Sequence, residues 1–225
     1  MNPGRTVELV FSAAASLVRG YAGTVASAAG DRPRQILELY EFEACPYCRK
    51  AREAMSALRL DYLARPCPKG GTRYRPRVEE LGGRRMYPYL VDSNTGASMY
   101  ESDDIVAYLY RYYGAGRPPL AMQLPIVTEL TASLASALYP GGFAAKAGKL
   151  PEQPLELIGT EASPRTRMVR VRLCELEIPY VMRCSESDST RPLPQLRDPN
   201  FSGPGWVAVG VDAALAHLQS QYRTR

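Results

Sequence analysis

A single histidine, His217, stands in a chain of 225 residues, so the histidine-rich donor sets of zinc and di-iron enzymes are missing and no metal site is expected. No histidine base stands near a candidate serine nucleophile either, which argues against a serine triad. Apolar runs of about 20 residues are absent, and no integral membrane segment is expected. Long blocks of like charge are absent too. The net charge of +5 comes from 28 basic and 23 acidic residues that are interleaved, the pattern of a solvated surface rather than a nucleic-acid-binding stripe. The five cysteines are an odd number for a secreted disulfide framework. Only Cys45 and Cys48 lie at a meaningful spacing, while Cys67, Cys174 and Cys184 are scattered, and a reducing compartment is expected.

Residues 1–35 read as an N-terminal helical segment. The stretch VELVFSAAASLVRGYAGTVASAAG has an apolar core and an Ala-Ser-Ala at 26–28 of the kind found at signal cleavage sites, and its Arg and Ser content would also suit an organelle transit peptide. The favoured reading is an amphipathic helix that docks on the body through Val10, Ala13, Ala14, Leu17 and Val18.

From residue 36 the element types alternate. ILELYEF is strand-like, CPYCRKAREAMSAL helical and DYLARP strand-like. In the helical run Ala51, Met55 and Leu58 share one face, and Arg49, Lys50, Arg52 and Glu53 are expected to point away from the core. RVEELGG reads as a short helix stopped by glycine, YPYLVD and ASMY as two strands joined at an Asn/Gly turn, and ESDDIVAYLYRYYG as a closing helix with acids in its first turn. Strand, helix, strand, helix, hairpin, helix over 36–114 is the thioredoxin order.

The chain then repeats itself. Sliding Ser163 onto Cys45 lays LEL at 155–157 on LEL at 37–39 and EASPRT on EACPYC. Arg49, Arg52, Tyr62 and Arg65 fall on Arg167, Arg170, Tyr180 and Arg183, and Val169, Leu173 and Leu176 keep the buried stripe. LPQLRDPN matches YPYLVDSN at a shorter offset, so about twelve residues, roughly those of the middle helix, are missing from the second copy. The expected architecture is α/β: two tandem thioredoxin-like domains at 36–114 and 154–225, the second degenerate and shortened. Residues 115–153 form a partly helical connector in which LPIVTELTASLASAL has helical periodicity.

Chemistry concentrates at Cys45-Pro46-Tyr47-Cys48. A thiolate is the nucleophile in disulfide exchange, and a helix start favours the anion through its free N–H groups and dipole, helped by nearby Arg49 and Lys50. Pro46 suits the first helical position, and Cys48 lies one turn on, placed to resolve a mixed disulfide at Cys45. A zinc half-site would need partners that the chain lacks. An iron-sulfur cluster shared between two subunits needs only one thiolate from each and is the less favoured alternative. Glu43 would raise the thiol pKa if it pointed inward. Cys67 is read as a buried apolar residue before a third redox thiol.

CPYC is the dithiol glutaredoxin motif, and YPYLVD followed by YESDDIVAYL resembles the cis-proline and Glu-Ser elements of glutathione transferase N-terminal domains. With RPCPKGGTRYRPRVEELGG, the chain is similar to the tandem transferase-N-terminal, thioredoxin-like proteins of photosynthetic organisms and some bacteria. The resemblance covers 36–114 strongly and 154–222 weakly. It implies that Cys45 attacks and Cys48 resolves, and that Tyr47 flanks the thiol. Pro88 would take the cis peptide that lets Tyr87 pair with the cysteinyl part of glutathione, and Glu101 and Ser102 would hold the γ-glutamyl group. Glutaredoxins carry a lysine shortly before the motif, and Phe42, Glu43 and Ala44 stand there here. The glycine carboxylate must find another cation, for which Lys69, Arg73, Arg75 and Arg77 are candidates.

The expected function is a glutathione-dependent thiol-disulfide oxidoreductase, with glutathione as co-substrate, disulfide-containing proteins or small molecules as substrates, and the plastid stroma or cytoplasm as location. The alternatives are a transferase-like conjugating enzyme, against which the short connector argues, and a non-enzymatic redox sensor or scaffold. In the second copy Ser163 and Thr166 replace the cysteines, and Gly210 and Val211 replace Glu101 and Ser102, so a structural or protein-binding role is expected there.

Overall fold

Short apolar runs alternate with helices, several of them with proline in the first turn, and the computed structural model follows that alternation. It describes residues 3–18, 30–119, 122, 141–184, 193–201 and 205–224. Helix α1 (Pro3–Val18) precedes β1 (Leu37–Glu41), α2 (Pro46–Ala57), β2 (Tyr62–Pro66), α3 (Arg75–Gly82), β3 (Tyr89–Asp92), β4 (Ala97–Met99) and α4 (Ser102–Tyr113). The later half holds β5 (Leu155–Gly159), α5 (Pro164–Glu175), β6 (Tyr180–Cys184), β7 (Gln195–Asp198), β8 (Trp206–Val209) and α6 (Val211–Gln221). The expected connector helix at 124–138 and residues 185–192 between β6 and β7 lie outside the described residues.

The eight strands among the described residues join in one sheet, in the order β4-β3-β1-β2-β6-β5-β7-β8. Within each half the first two strands are parallel and the hairpin adds antiparallel: β1 runs with β2 and against β3, as β5 runs with β6 and against β7. The halves meet where β2 pairs antiparallel with β6, Tyr62 opposite Met182, Leu63 opposite Val181 and Ala64 opposite Tyr180. The sequence repeat places Leu63 on Val181, so the join has a local two-fold axis through that pair, and each half covers the other's exposed sheet edge.

Polar anchors repeat with the strands. Asn94 donates to and accepts from the backbone of Gln35 at 2.9 and 2.7 Å, and Asn200 does the same with Gln153 at 3.1 and 2.8 Å. Asp92 accepts from Tyr113 at 2.5 Å and Tyr108 at 2.6 Å, while Asp198 takes Tyr222 at 2.6 Å and His217 at 2.7 Å. The lone histidine therefore ties the last helix to the sheet, stacked 3.6 Å from Trp206. One apolar cluster runs through both halves, from Leu39, Met55 and Leu109 to Leu157, Leu173 and Leu218.

Two expectations about helix faces are corrected. Arg49, Lys50, Arg52 and Glu53 do not point to solvent: they are 1%, 2%, 0% and 2% exposed. Helix α2 is covered on its second side too, and Glu41, Glu43 and Glu161 supply the countercharge that lets arginines enter that contact. Helix α1 docks on α5, but through Leu9, Ser12 and Ser16, with Val10 and Leu17 left exposed. The start of α5 presents polar groups: Ser12 donates to the Pro164 carbonyl at 3.1 Å, Ser16 to that of Ala162 at 2.8 Å, and Arg167 to the Ser12 carbonyl at 2.6 Å. A polar seam draws in the serine face.

Candidate functional site

Cys45 is the N-cap of α2. Its backbone is extended, Pro46 opens the helix, and the Cys48 backbone N–H donates to Cys45 Sγ at 3.3 Å. The thiol is aimed at the loop before β3, where the Tyr87–Pro88 peptide is cis and Cys45 Sγ lies 3.9 Å from the Tyr87 carbonyl oxygen. Cys45 is 4% exposed and Cys48 is fully buried.

The two thiols titrate in opposite directions. The hydrogen bond from the Cys48 side chain holds the Cys45 thiol below its ordinary value; burial opposes this, and the backbone N–H groups of Cys48 and Tyr47 and the Arg52 guanidinium add to it. Burial pushes Cys48 well up, with the hydrogen bond to Cys45 and the charges of Cys45 and Glu41 acting the same way. A thiolate at Cys45 and a protonated partner behind it at Cys48 follow from that split.

The cation that acts on Cys45 is Arg52, not Arg49 or Lys50. Lys50 pairs with Asp103 at the start of α4, and Arg49 is buried beside Glu43 and Glu161. Arg52 binds Glu41, reaches Glu161 at 3.2 Å and lies 3.3 Å from Glu43. Its repeat mate Arg170 holds Glu43 at 2.9 Å and Glu161 at 2.8 Å. Glu43 therefore points inward, yet as a neutralised anion: burial works against ionisation, and Arg170 and Arg52 overcome it and pull the carboxyl down to about 2. Burial dominates at Glu41 and raises it to about 7 against the pull of Arg52, and its Oε1 has no hydrogen-bond partner.

The other expected site residues divide. Ser102, 4% exposed, starts α4, and the Lys50–Asp103 pair ties that helix start to α2. Glu101 is exposed at the cap with φ 64°, a backbone region costly for a side-chain residue. Tyr47 is 46% exposed on the first turn of α2. Of the candidate cations, Arg73 is consumed by the carbonyls of Leu176, Glu177 and Gly148, and Arg77 pairs with Glu80. Arg75 lies over the Tyr87 ring, 4.9 Å from its centroid, and donates to the Cys67 and Pro68 carbonyls at 3.2 and 2.7 Å. Cys67 is fully buried with its thiol pushed up by burial, an inert apolar residue.

Residues 39–118 match the family model of the glutathione S-transferase N-terminal domain. A thioredoxin-like domain of that transferase type is found there. It spans β1 to α4 and carries every expected site residue. No curated protein and no solved structure matches the chain. Outside the matched stretch, at the start of α5, Ser163 accepts from the Thr166 backbone N–H at 3.3 Å. The cap geometry of the transferase-type domain recurs there without sulfur.

Sequence reasoning missed Arg52 as the cation beside Cys45, and it missed Phe143. Phe143 ends 6.4 Å ring to ring from Phe42, whose carbonyl accepts from the Cys45 N–H at 3.1 Å. The identity of Glu43 with Glu161 and of Arg52 with Arg170 was the signal for the first. Nothing in the sequence marks the second.

Proposed function

We propose that the protein is a glutathione-dependent thiol-disulfide oxidoreductase. The observation that carries this reading is the placement of Cys45 Sγ as the cap of α2, where it accepts from the Cys48 N–H at 3.3 Å and faces the cis Tyr87–Pro88 loop. The Cys45 thiolate attacks the glutathione sulfur of a mixed disulfide, the S–S bond breaks, and the substrate leaves as a thiolate. A second glutathione thiolate then attacks the Cys45–glutathione bond, releasing glutathione disulfide and the Cys45 thiolate. With a protein disulfide as substrate, the Cys48 thiolate, once its proton is lost, attacks Cys45 Sγ in the mixed disulfide, forming the Cys45–Cys48 disulfide and expelling the substrate thiolate; two glutathione thiols then reduce that disulfide and leave as glutathione disulfide.

The Tyr87 backbone receives the cysteinyl part of glutathione, and Glu101 and Ser102 receive the γ-glutamyl group, as the resemblance implies. Arg75, stacked on Tyr87, is the cation best placed for the glycine carboxylate. The later half is read as a degenerate tandem copy: it repeats the element order (without a counterpart of α3 among the described residues), the Asn clasp and the helix cap, but keeps neither cysteine of the pair. Its role is then to bury the β2 edge, to balance the arginines of α2 and to offer a surface to a protein partner.

The family name of the matched domain favours a second reading, conjugation of an electrophile to glutathione. Glutathione-dependent reduction of 2-hydroxyethyl disulfide that disappears in Cys45→Ser supports the oxidoreductase. Conjugation of 1-chloro-2,4-dinitrobenzene without disulfide reduction supports the transferase. Neither activity leaves the sensor or scaffold.

A further inference from the structure

The rim of the Cys45 site is aromatic and positively charged, and part of it comes from the segment between the halves. Residues 143–146 are pinned there by backbone bonds: Lys69 N–H donates to the Phe143 carbonyl at 2.7 Å, Ala145 N–H to the Lys69 carbonyl at 2.9 Å, and Lys146 N–H to the Glu175 carbonyl at 2.6 Å. This clamp fixes Phe143 with 48% of its surface exposed. An exposed aromatic ring on ordered backbone beside a nucleophile forgoes burial energy, unlike a side chain free to turn inward.

The ring continues a path that starts at the sulfur. Cys45 Sγ faces the Tyr87 carbonyl, the Tyr87 and Phe42 rings meet edge to face at 6.0 Å, and Phe42 meets Phe143 the same way at 6.4 Å. The Lys69 ammonium sits 5.5 Å from the Phe143 centroid. The Glu41 and Glu43 carboxylates face the buried arginines, Glu177 accepts from the Thr72 and Arg73 backbone N–H groups at 3.3 and 3.1 Å, and Glu175 pairs with Lys146 at 2.8 Å, so these carboxylates are engaged.

The geometry points to a subsite for the leaving thiol: Phe143 and Lys69 select a mixed disulfide of glutathione whose other half is an aromatic thiol bearing a carboxylate. The inference rests on the oxidoreductase reading and names its substrate class. As Cys45 takes the glutathione sulfur, the aryl thiolate departs with the electron pair of the broken S–S bond, its ring against Phe143 and its carboxylate by Lys69. Free glutathione then regenerates Cys45 as above.

The test compares two probes on the full chain: the mixed disulfides of glutathione with 5-thio-2-nitrobenzoate and with 2-mercaptoethanol. Phe143→Ala is expected to lower the ratio of kcat/KM for the aromatic probe over the aliphatic one roughly tenfold. Lys69→Gln is expected to lower it roughly fivefold at low salt, with the effect fading as ionic strength rises. A mixed disulfide with thiophenol, which lacks the carboxylate, should keep the Phe143 effect and lose the Lys69 effect. An unchanged ratio in Phe143→Ala, with wild-type protein active on both probes, overturns the subsite alone. Wild-type protein inactive on both overturns the oxidoreductase reading and the subsite with it.

Discussion

Arg52 of the first half and Glu161 of the second are joined at 3.2 Å inside the protein, and both are almost completely shielded from water. The local two-fold axis turns this pair into Arg170 and Glu43, joined at 2.9 Å. Reciprocal ion pairs thus seal the contact between the halves, and the same Arg52 stabilises the Cys45 thiolate. Assembly of the sheet and reactivity of the sulfur share one side chain.

Arg52→Met should test that sharing. Removing one member of a buried network leaves Glu161 and Glu41 short of countercharge, at a cost of about 3–5 kcal/mol. Chemical denaturation should register the loss, and the Cys45 thiol in the folded fraction should titrate higher than in wild type. The double variant Arg52→Met with Glu161→Gln should recover part of the stability and none of the thiol shift.

Glu41 makes stability depend on pH near neutrality. Its folded-state value of about 7 lies above the ordinary carboxylate range, because burial disfavours the charge. A raised acid contributes stability that is whole below about pH 4 and lost as pH rises through 7, by linkage about 3 kcal/mol. Melting curves from pH 5 to 8 should show that decline, and Glu41→Gln should flatten it. Glu43 acts in the opposite sense, its contribution present above about pH 4.5 and lost as pH falls towards 2.

Glu101 holds φ 64° where the second half has Gly210 at φ 88°. The half without the Cys45–Cys48 pair uses the residue that adopts this backbone freely, and the half with that pair keeps a side chain there. Glu101→Gly should therefore raise stability by about 1 kcal/mol while weakening glutathione binding. Calorimetry would read both. Unchanged glutathione affinity would remove Glu101 from the binding site.

The order of strands and helices and the capping Cys45 were legible because each depends on neighbours in sequence: apolar periodicity, proline at a helix start, a motif four residues long. The cis Tyr87–Pro88 peptide was legible only through the resemblance to transferase N-terminal domains. The second face of α2 was not. Periodicity assigns Arg49 and Arg52 to water, and only Glu43 and Glu161, brought in by strand ends far apart in the chain, make their burial affordable. The docked face of α1 failed for a related reason. Apolar residues mark a helix side as hydrophobic, but the surface waiting for it was a row of carbonyls that took Ser12 and Ser16. Phe143 belongs to a segment whose position is set by backbone pairing with Lys69, which composition does not encode.

The most direct measurement is thiolate absorbance across a pH titration of the reduced protein. One thiol should ionise below the ~8.5 of a free cysteine, and that transition should vanish in Cys45→Ser, with the remaining cysteines titrating higher. A lowest transition at or above the free-thiol value, or one that survives in Cys45→Ser, would contradict the account.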